Sequence, residues 1–390
     1  MVPKGWKPVR LKQISETVTS GSRDWAQYYS ETGSKFIRMT NLSRDGIHLK
    51  LGDLKYVNVE SSASDGKRTS LKEGDLLISI TAELGKIGWI PPEFGEAYIN
   101  QHTALVRIKK QQADSKYVAY LLSSHEMNHK INRLNDSGAK AGLNLPTIRS
   151  IPMILPPLPE QQRIAKILST WDNAISSTEK LIANSKQQKQ SLMQQLLTGK
   201  KRLVNPETGK AFDGEWKFSL FNELYKVANS KVTQVKSSEY LKHGNTPIVD
   251  QGKSLVGGYT NNHNTYKDTP VIIFGDHTRV VKWVDFEFAQ GADGTQVLKN
   301  SKVLDAKFAY YLLSKMDIPN LGYSRHMREL KEKDFKYPLD KNEQHKIASA
   351  LTAADKEIEL LEAKLAHFKQ EKKALMQQLL TGKRRVKIAA

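Results

Sequence analysis

His125, Glu126 and His129 stand at the H-E-x-x-H spacing. On a helix this puts two imidazoles one turn apart with a carboxylate between them, the ligand pair and general base of a zinc-dependent hydrolase. No third ligand follows at a metzincin spacing. The matching stretch of an internal repeat, MDIPN at 316–320, has no such ligands and contains a helix-breaking proline. The segment is expected to be a solvent-facing helix end, with a metal-dependent hydrolase as the rival reading. Thr-Gly-Lys at 198–200 and 381–383 ends like a phosphate-binding loop, but no glycine stands five positions before Gly199 or Gly382. IPPEF and LPPLP lack the polar first residue of an adenine-methyltransferase motif. The chain is expected to be non-catalytic and to hold no metal.

Groups suited to base edges are more numerous. Arginine fits guanine, and asparagine or glutamine fits adenine. In the second half, GDHTR offers Asp276, His277, Thr278 and Arg279, GYSRHMR offers Tyr323, Arg325, His326 and Arg328, and GGYTNN offers Tyr259 and Asn261. In the first half the candidates are Arg38, Thr40 and Asn41 of FIRMTNL, Lys86 of AELGK, Gln101 and His102 of INQH, and Lys140 and Asn144 of SGAKAGLN. The competing reading is that these are solvated turns or buried strand ends, and that the lysines neutralise phosphate without reading sequence. Charge favours a polyanionic partner: 60 Lys+Arg against 41 Asp+Glu give a net charge of +19 over 390 residues. There is no cysteine, hence no disulfide framework. The start, MVPKGWKPVR, lacks the apolar core of a signal peptide, and the longest apolar runs are strand-sized, so a cytoplasmic protein without membrane spans is expected.

The elements that carry these loops come from a duplication. LMQQLLTGK occurs at 192–200 and again at 375–383. A shift of 183 positions aligns all of 160–202 with 343–385 without a gap, at about half identity. Residues Ile164, Leu168, Trp171, Ile175, Thr178, Ile182, Ser185, Lys189, Leu192 and Leu196 follow steps of four and three, and so does the series from Ile347 to Leu379. That 3.5-residue period predicts two coiled-coil helices, each about 57 Å long. Gly199 and Gly382 are expected C-caps. Lys189 and Lys372 fall on the seam at one register, where they either fix that register or snorkel at a frayed end. An intramolecular antiparallel pair with a pseudo-two-fold axis is expected; pairing between two chains is the alternative.

The remaining segments repeat loosely. DSKYVAYLLSS at 114–124 matches DAKFAYYLLSK at 305–315, LLISITAELGKIGWI at 76–90 matches PVIIFGDHTRVVKWV at 270–284, and Trp6-Lys7 matches Trp216-Lys217. Each globule is expected to be mixed α+β. The expected division is a recognition domain at 1–155, a scaffold helix at 156–203, a second recognition domain at 204–337 and a second scaffold helix at 338–390. Helices that stayed alike between globules that diverged suggest one frame holding two different readers. A coiled-coil adaptor without base reading is the other competitor.

The duplicated EQ(Q/H)(R/K)IA…LMQQLLTGK helices, the IPMILPPLPEQQRIAKIL lead-in, the strand–turn sets EGDLLISITAELGKIG and PVIIFGDHTRVVKWVDFEFAQGADG, and GYSRH at 322–326 together resemble the specificity subunit of type I restriction–modification enzymes. The resemblance covers nearly the whole chain. It implies two target-recognition domains joined by an antiparallel helix pair, and a bipartite, gapped double-stranded DNA site whose gap the helices set. It implies two modification subunits that bind S-adenosylmethionine, and restriction subunits that use ATP and Mg, with no cofactor in this chain. One departure is that KYPLDKNEQHK opens the second helix without the full Pro-Pro-x-Pro run.

Overall fold

The computed structural model describes residues 2–59, 64–135, 142–320, 322 and 324–387. The chain divides into two compact units, one of Met1–Ser177 with Leu365–Ala390, the other of Thr178–Lys364. Two 39-residue helices, Leu158–Leu196 and Lys341–Leu379, each begin in one unit and end in the other.

In the first unit, Lys7–Arg10 pairs with Pro152–Leu155. An antiparallel sheet runs in the order Ser15–Ser20, Thr103–Ile108, Leu76–Ser79, Ile87–Trp89. A mixed sheet runs Tyr29–Ser30, Lys55–Val57, Ser34–Ile37, Ala97–Ile99. The second unit repeats the plan. Trp216–Leu220 pairs with Asp334–Pro338. Its antiparallel sheet runs Tyr225–Val227, Thr295–Asn300, Val271–Gly275, Val281–Val284. Its mixed sheet runs Gln234–Val235, Ala289–Gly291, Thr246–Val249, Gly258–Thr260. The two mixed sheets differ at one edge: the short first strand joins the Lys55–Val57 side in the first unit and the Ala289–Gly291 side in the second.

Within each unit the start of one long helix packs antiparallel on the end of the other. Ile164, Ala165 and Leu168 share the first core with Leu379 and Leu380; Ile347, Ala348 and Leu351 share the second with Leu196 and Leu197. The seam residues are buried or half-buried throughout, as a 3.5-residue stripe requires. The expected intramolecular antiparallel pair is therefore formed.

The recurrent residues have duplicated tasks. Glu160 and Glu343, each buried, take forked bonds from Arg385 (2.6 and 2.7 Å) and Arg202 (2.5 and 2.7 Å). Gln161 accepts from the main chain of Asp114 at 2.9 Å, and Gln344 from that of Asp305 at 2.7 Å. Those aspartates cap the helices Ser115–Ser123 and Ala306–Ser314. Gly199 and Gly382 have left-handed φ values of 72° and 70°. A Cβ on Gly199 would lie 3.1 Å from the Trp216 ring, and one on Gly382 would lie 2.6 Å from Pro3 and 3.2 Å from Trp6. Each glycine thus ends its helix and lets a tryptophan lie across the end.

The seam lysines do not snorkel. Lys372 pairs with Asp172 and Lys189 with Asp355, each at 2.5 Å, and each ammonium lies over a tyrosine ring, Tyr120 at 5.4 Å and Tyr311 at 5.6 Å. The tyrosine hydroxyls donate to the same aspartates. Burial would push the Asp172 carboxyl up, but His48, Lys372 and Tyr120 outweigh it and hold the value at about 2.

The ungapped match of the two hairpins is corrected by the pairing. Leu76 faces Val106 and Ile272 faces Leu298, an offset of 196, whereas Trp89 and Trp283 differ by 194. The first hairpin turn is two residues longer. A two-residue slip leaves every side chain on its own face, so the sequence pattern survives it.

Candidate nucleic-acid interface

The turn of each hairpin is the hub of a loop cluster. In the first unit, the Ile80 N–H donates to the His102 carbonyl (3.0 Å), and the Leu143 N–H donates to the Ile80 carbonyl (2.9 Å). Residues 80–86, 100–102 and 142–144 therefore meet. In the second, the Asp276 N–H donates to Gly294 (2.7 Å), and the His326 N–H donates to Asp276 (2.8 Å). The same two bonds recur with different side chains around them.

Three of the sequence candidates are buried inside the fold. Asp276 accepts at Oδ1 from the Met327 N–H (2.7 Å), and His326 Nδ1 donates to the Asp276 carbonyl (2.7 Å). Asn41 donates to the Lys50 carbonyl (2.8 Å) and accepts from the Arg38 N–H (2.9 Å). Burial and these bonds make all three loop-holding groups. Arg279, at φ 61°, donates to the Ile318 carbonyl (2.8 Å), and Arg38 clamps Asp53 through its carbonyl (2.9 Å) and carboxylate (2.7 Å). Arg38 in turn holds the Asp53 carboxyl below its usual range.

Others stand at the surface. Thr40, Asn144, Asn261, Thr278, Arg325 and Arg328 are exposed. Thr278 donates to the Gln251 carbonyl (2.6 Å), and Arg328 pairs with Glu332 at 3.4 Å. Asn144 caps the helix Leu145–Ser150 through the Thr147 N–H (2.8 Å). Lys86 pairs with Glu83 at 2.5 Å on the turn itself. His102 and Gln101 are half-buried; His102 Nδ1 bonds Thr81 at 2.8 Å, and Gln101 Nε2 lies 3.1 Å from His102 Nε2. His277 is half-buried and its N–H donates to Gln251 Oε1 (3.1 Å). Tyr259 and Asn261 sit elsewhere, at the open end of the Thr246–Val249 and Gly258–Thr260 pair beside Leu241 and Asn245. Lys140 and Tyr323 lie outside the described residues.

Two residues were missed by sequence reasoning. Gln251 joins three loops: besides Thr278 and His277, its amide donates to the Asp293 carbonyl (2.8 Å). Lys282 is buried and donates to two loop carbonyls. The available signal was Gly88 against Lys282 in otherwise matched strand ends, GWI and KWV.

His125, Glu126 and His129 are exposed on the helix His125–Arg133, and Glu126 pairs with Lys130 at 2.7 Å. Among the described residues no three His, Asp or Glu side chains are grouped to hold a metal ion. No helix in the described residues is long and apolar enough to cross a membrane.

A helix frame carrying two unlike loop clusters defines a duplicated recognition protein. The family model for the type I restriction modification DNA specificity domain matches residues 3–186 and 213–370. The chain belongs to that family and is a DNA specificity subunit, not a catalytic one. It is 28% identical to the putative type I restriction enzyme MjaX specificity subunit of Methanocaldococcus jannaschii, over 99% of this chain and 95% of that one. The fold resembles the crystal structure of a type I restriction–modification S subunit from M. genitalium, with TM-score 0.64, 13% identity and coverage of 98% and 97%. It also resembles a structure from work on assembly and conformational transition of the type I R-M system, with TM-score 0.54, 16% identity and coverage of 97% and 98%.

Proposed function

We propose that this specificity subunit reads a bipartite, gapped double-stranded DNA site, the domain at 1–155 taking one half and that at 204–337 the other. The observation that carries the reading is the equivalent loop hub in each unit, built on the same two main-chain bonds but lined by different side chains. Asp276, His326 and Asn41 shape the loops, while Thr278, Arg325 and Arg328 supply groups to DNA. Lysines and arginines beyond the base edges neutralise phosphate, so binding weakens steeply with salt. The chain directs methylation by two modification subunits that bind S-adenosylmethionine, and cleavage by restriction subunits that use ATP and Mg.

The test is a methylome comparison of the host with and without the gene. Loss of methyladenine from one gapped, two-part motif is the expected result. Survival of every modified motif, together with no sequence preference in DNA binding by the purified chain, would leave an adaptor without base reading as the better description.

A further inference from the structure

Lys282 occupies a strand of the second antiparallel sheet, opposite Ile273. Gly88 occupies the same place in the first unit, opposite Leu77. Each position lies under the loop that follows the strand Ser34–Ile37 or its counterpart Thr246–Val249. In the first unit that loop spans 38–54 and covers the glycine with leucines. A Cβ on Gly88 would come within 2.7 Å of both Leu42 and Leu49. In the second unit the loop is shorter, 250–257, and the lysine reaches into it.

The Lys282 ammonium donates to the Asp250 carbonyl (2.7 Å) and the Ser254 carbonyl (2.5 Å), with the Asp250 carboxylate at 3.6 Å. Only 6% of the residue is exposed. A lysine this buried must be matched by acceptors, and its ammonium finds two carbonyls and a counter-charge in one loop. Asp250 Oδ1 also accepts from the Gly252 N–H (2.8 Å), closing the turn on itself. Both acceptors are main-chain oxygens, and Asp250 is the loop side chain that the anchor uses, as its counter-charge. Lys253, Ser254 and Leu255 remain at the surface. Gln251 ties the same loop to the turn at 276–279 and to Asp293. An anchor that grips backbone leaves the side chains at the tip able to serve recognition.

We propose that Lys282 is the positioning residue of a base-reading loop at 250–257, the second unit's replacement for the leucine-packed loop over Gly88. The inference rests on the proposed reading of a two-part DNA site and assigns one half of it to a loop absent from the sequence candidates.

The test uses Lys282→Met in the full chain, which keeps the apolar stem and removes the donors. In the purified protein, amide exchange at 250–257 is expected to quicken by about tenfold or more, with 38–54 unchanged. In the host, discrimination at one half of the methylated motif is expected to fall by about fivefold to a hundredfold, with the other half intact. Unaltered exchange at 250–257 overturns the anchor. Quickened exchange with both halves of the motif unchanged overturns the recognition role. If Lys282→Met loses cooperative unfolding, Gln251→Ala unties the same loop from His277 and Asp293, and an unchanged motif in that variant overturns the inference. A host whose methylation does not depend on the gene, together with no sequence preference in DNA binding by the purified chain, refutes the two-part reading, while the exchange result still decides whether Lys282 holds the loop.

Discussion

Asp172→Asn removes one negative charge and little else. The side chain keeps its shape and an acceptor for the Tyr120 hydroxyl, but Lys372, 9% exposed, loses its counter-charge. A carboxyl held from 3.8 down to about 2 by His48, Lys372 and Tyr120 favours the carboxylate in the fold by about 2–3 kcal/mol. The substitution is therefore expected to lower stability by about 2–3 kcal/mol at neutral pH, read by urea unfolding followed by tryptophan fluorescence. The sign with pH follows from the depressed value. The contribution is fully present above 3.8 and is lost as pH falls from there toward 2. The gap between wild type and variant should shrink below about pH 4. Asp355→Asn is the control. Its aspartate is 38% exposed, so solvent screens the pair, and the expected cost is below about 1 kcal/mol. A cost under about 1 kcal/mol for Asp172→Asn, or a gap that ignores pH, would refute the charge-pair account.

Other outcomes follow from the same geometry. Arg385→Ala leaves Glu160 buried without its guanidinium and should cost about 3 kcal/mol, seen as a lower Tm. Gly21→Ala places a Cβ 2.2 Å from the Ile99 carbonyl oxygen and 2.3 Å from Asn100 main-chain atoms, so backbone must move, at a cost of about 1–3 kcal/mol in denaturant titration. His125→Ala and His129→Ala should change stability by less than about 0.5 kcal/mol, and zinc analysis after dialysis should find no tightly bound metal in either the wild type or the variants. If the long helices set the gap in the DNA site, four residues added at the end of the first long helix, near Leu196, should lengthen the recognised gap by about one or two base pairs and leave both half-motifs as they were.

The long helices were legible because a 3.5-residue stripe is a property of sequence alone, and an ungapped repeat doubles the signal. The role of the seam lysines was not. Asp172 and Asp355 align in the repeat, but nothing in one strand of sequence says that Asp172 meets a lysine 200 residues away. The paired globules were visible through Trp89 and Trp283, while the two-residue difference between the hairpins was hidden by the strand period itself. The rule for a candidate base reader is a polar residue in a polar turn. That rule selects Asp276 and His326 as readily as Thr278 and Arg325, since a turn closed by its own side chains has the same composition as one open to a ligand. Lys282 escaped notice because a lysine in an alternating strand is ordinarily read as the solvent face, and its acceptors are carbonyls that carry no residue label.

The exchange of helix ends between the units bears on synthesis at the ribosome. Proteins usually acquire structure in the order in which they emerge. Here residues 1–177 leave the exit tunnel first, yet their core includes Leu379 and Leu380, and Glu160 waits for Arg385. The second unit has all its parts once residue 364 is out. At about 5–20 residues per second, the older half of the nascent chain spends roughly 10–40 seconds with an incomplete core before its last helix arrives. The first part made is the last to close, and through that interval it depends on whatever shields apolar surface in the cell.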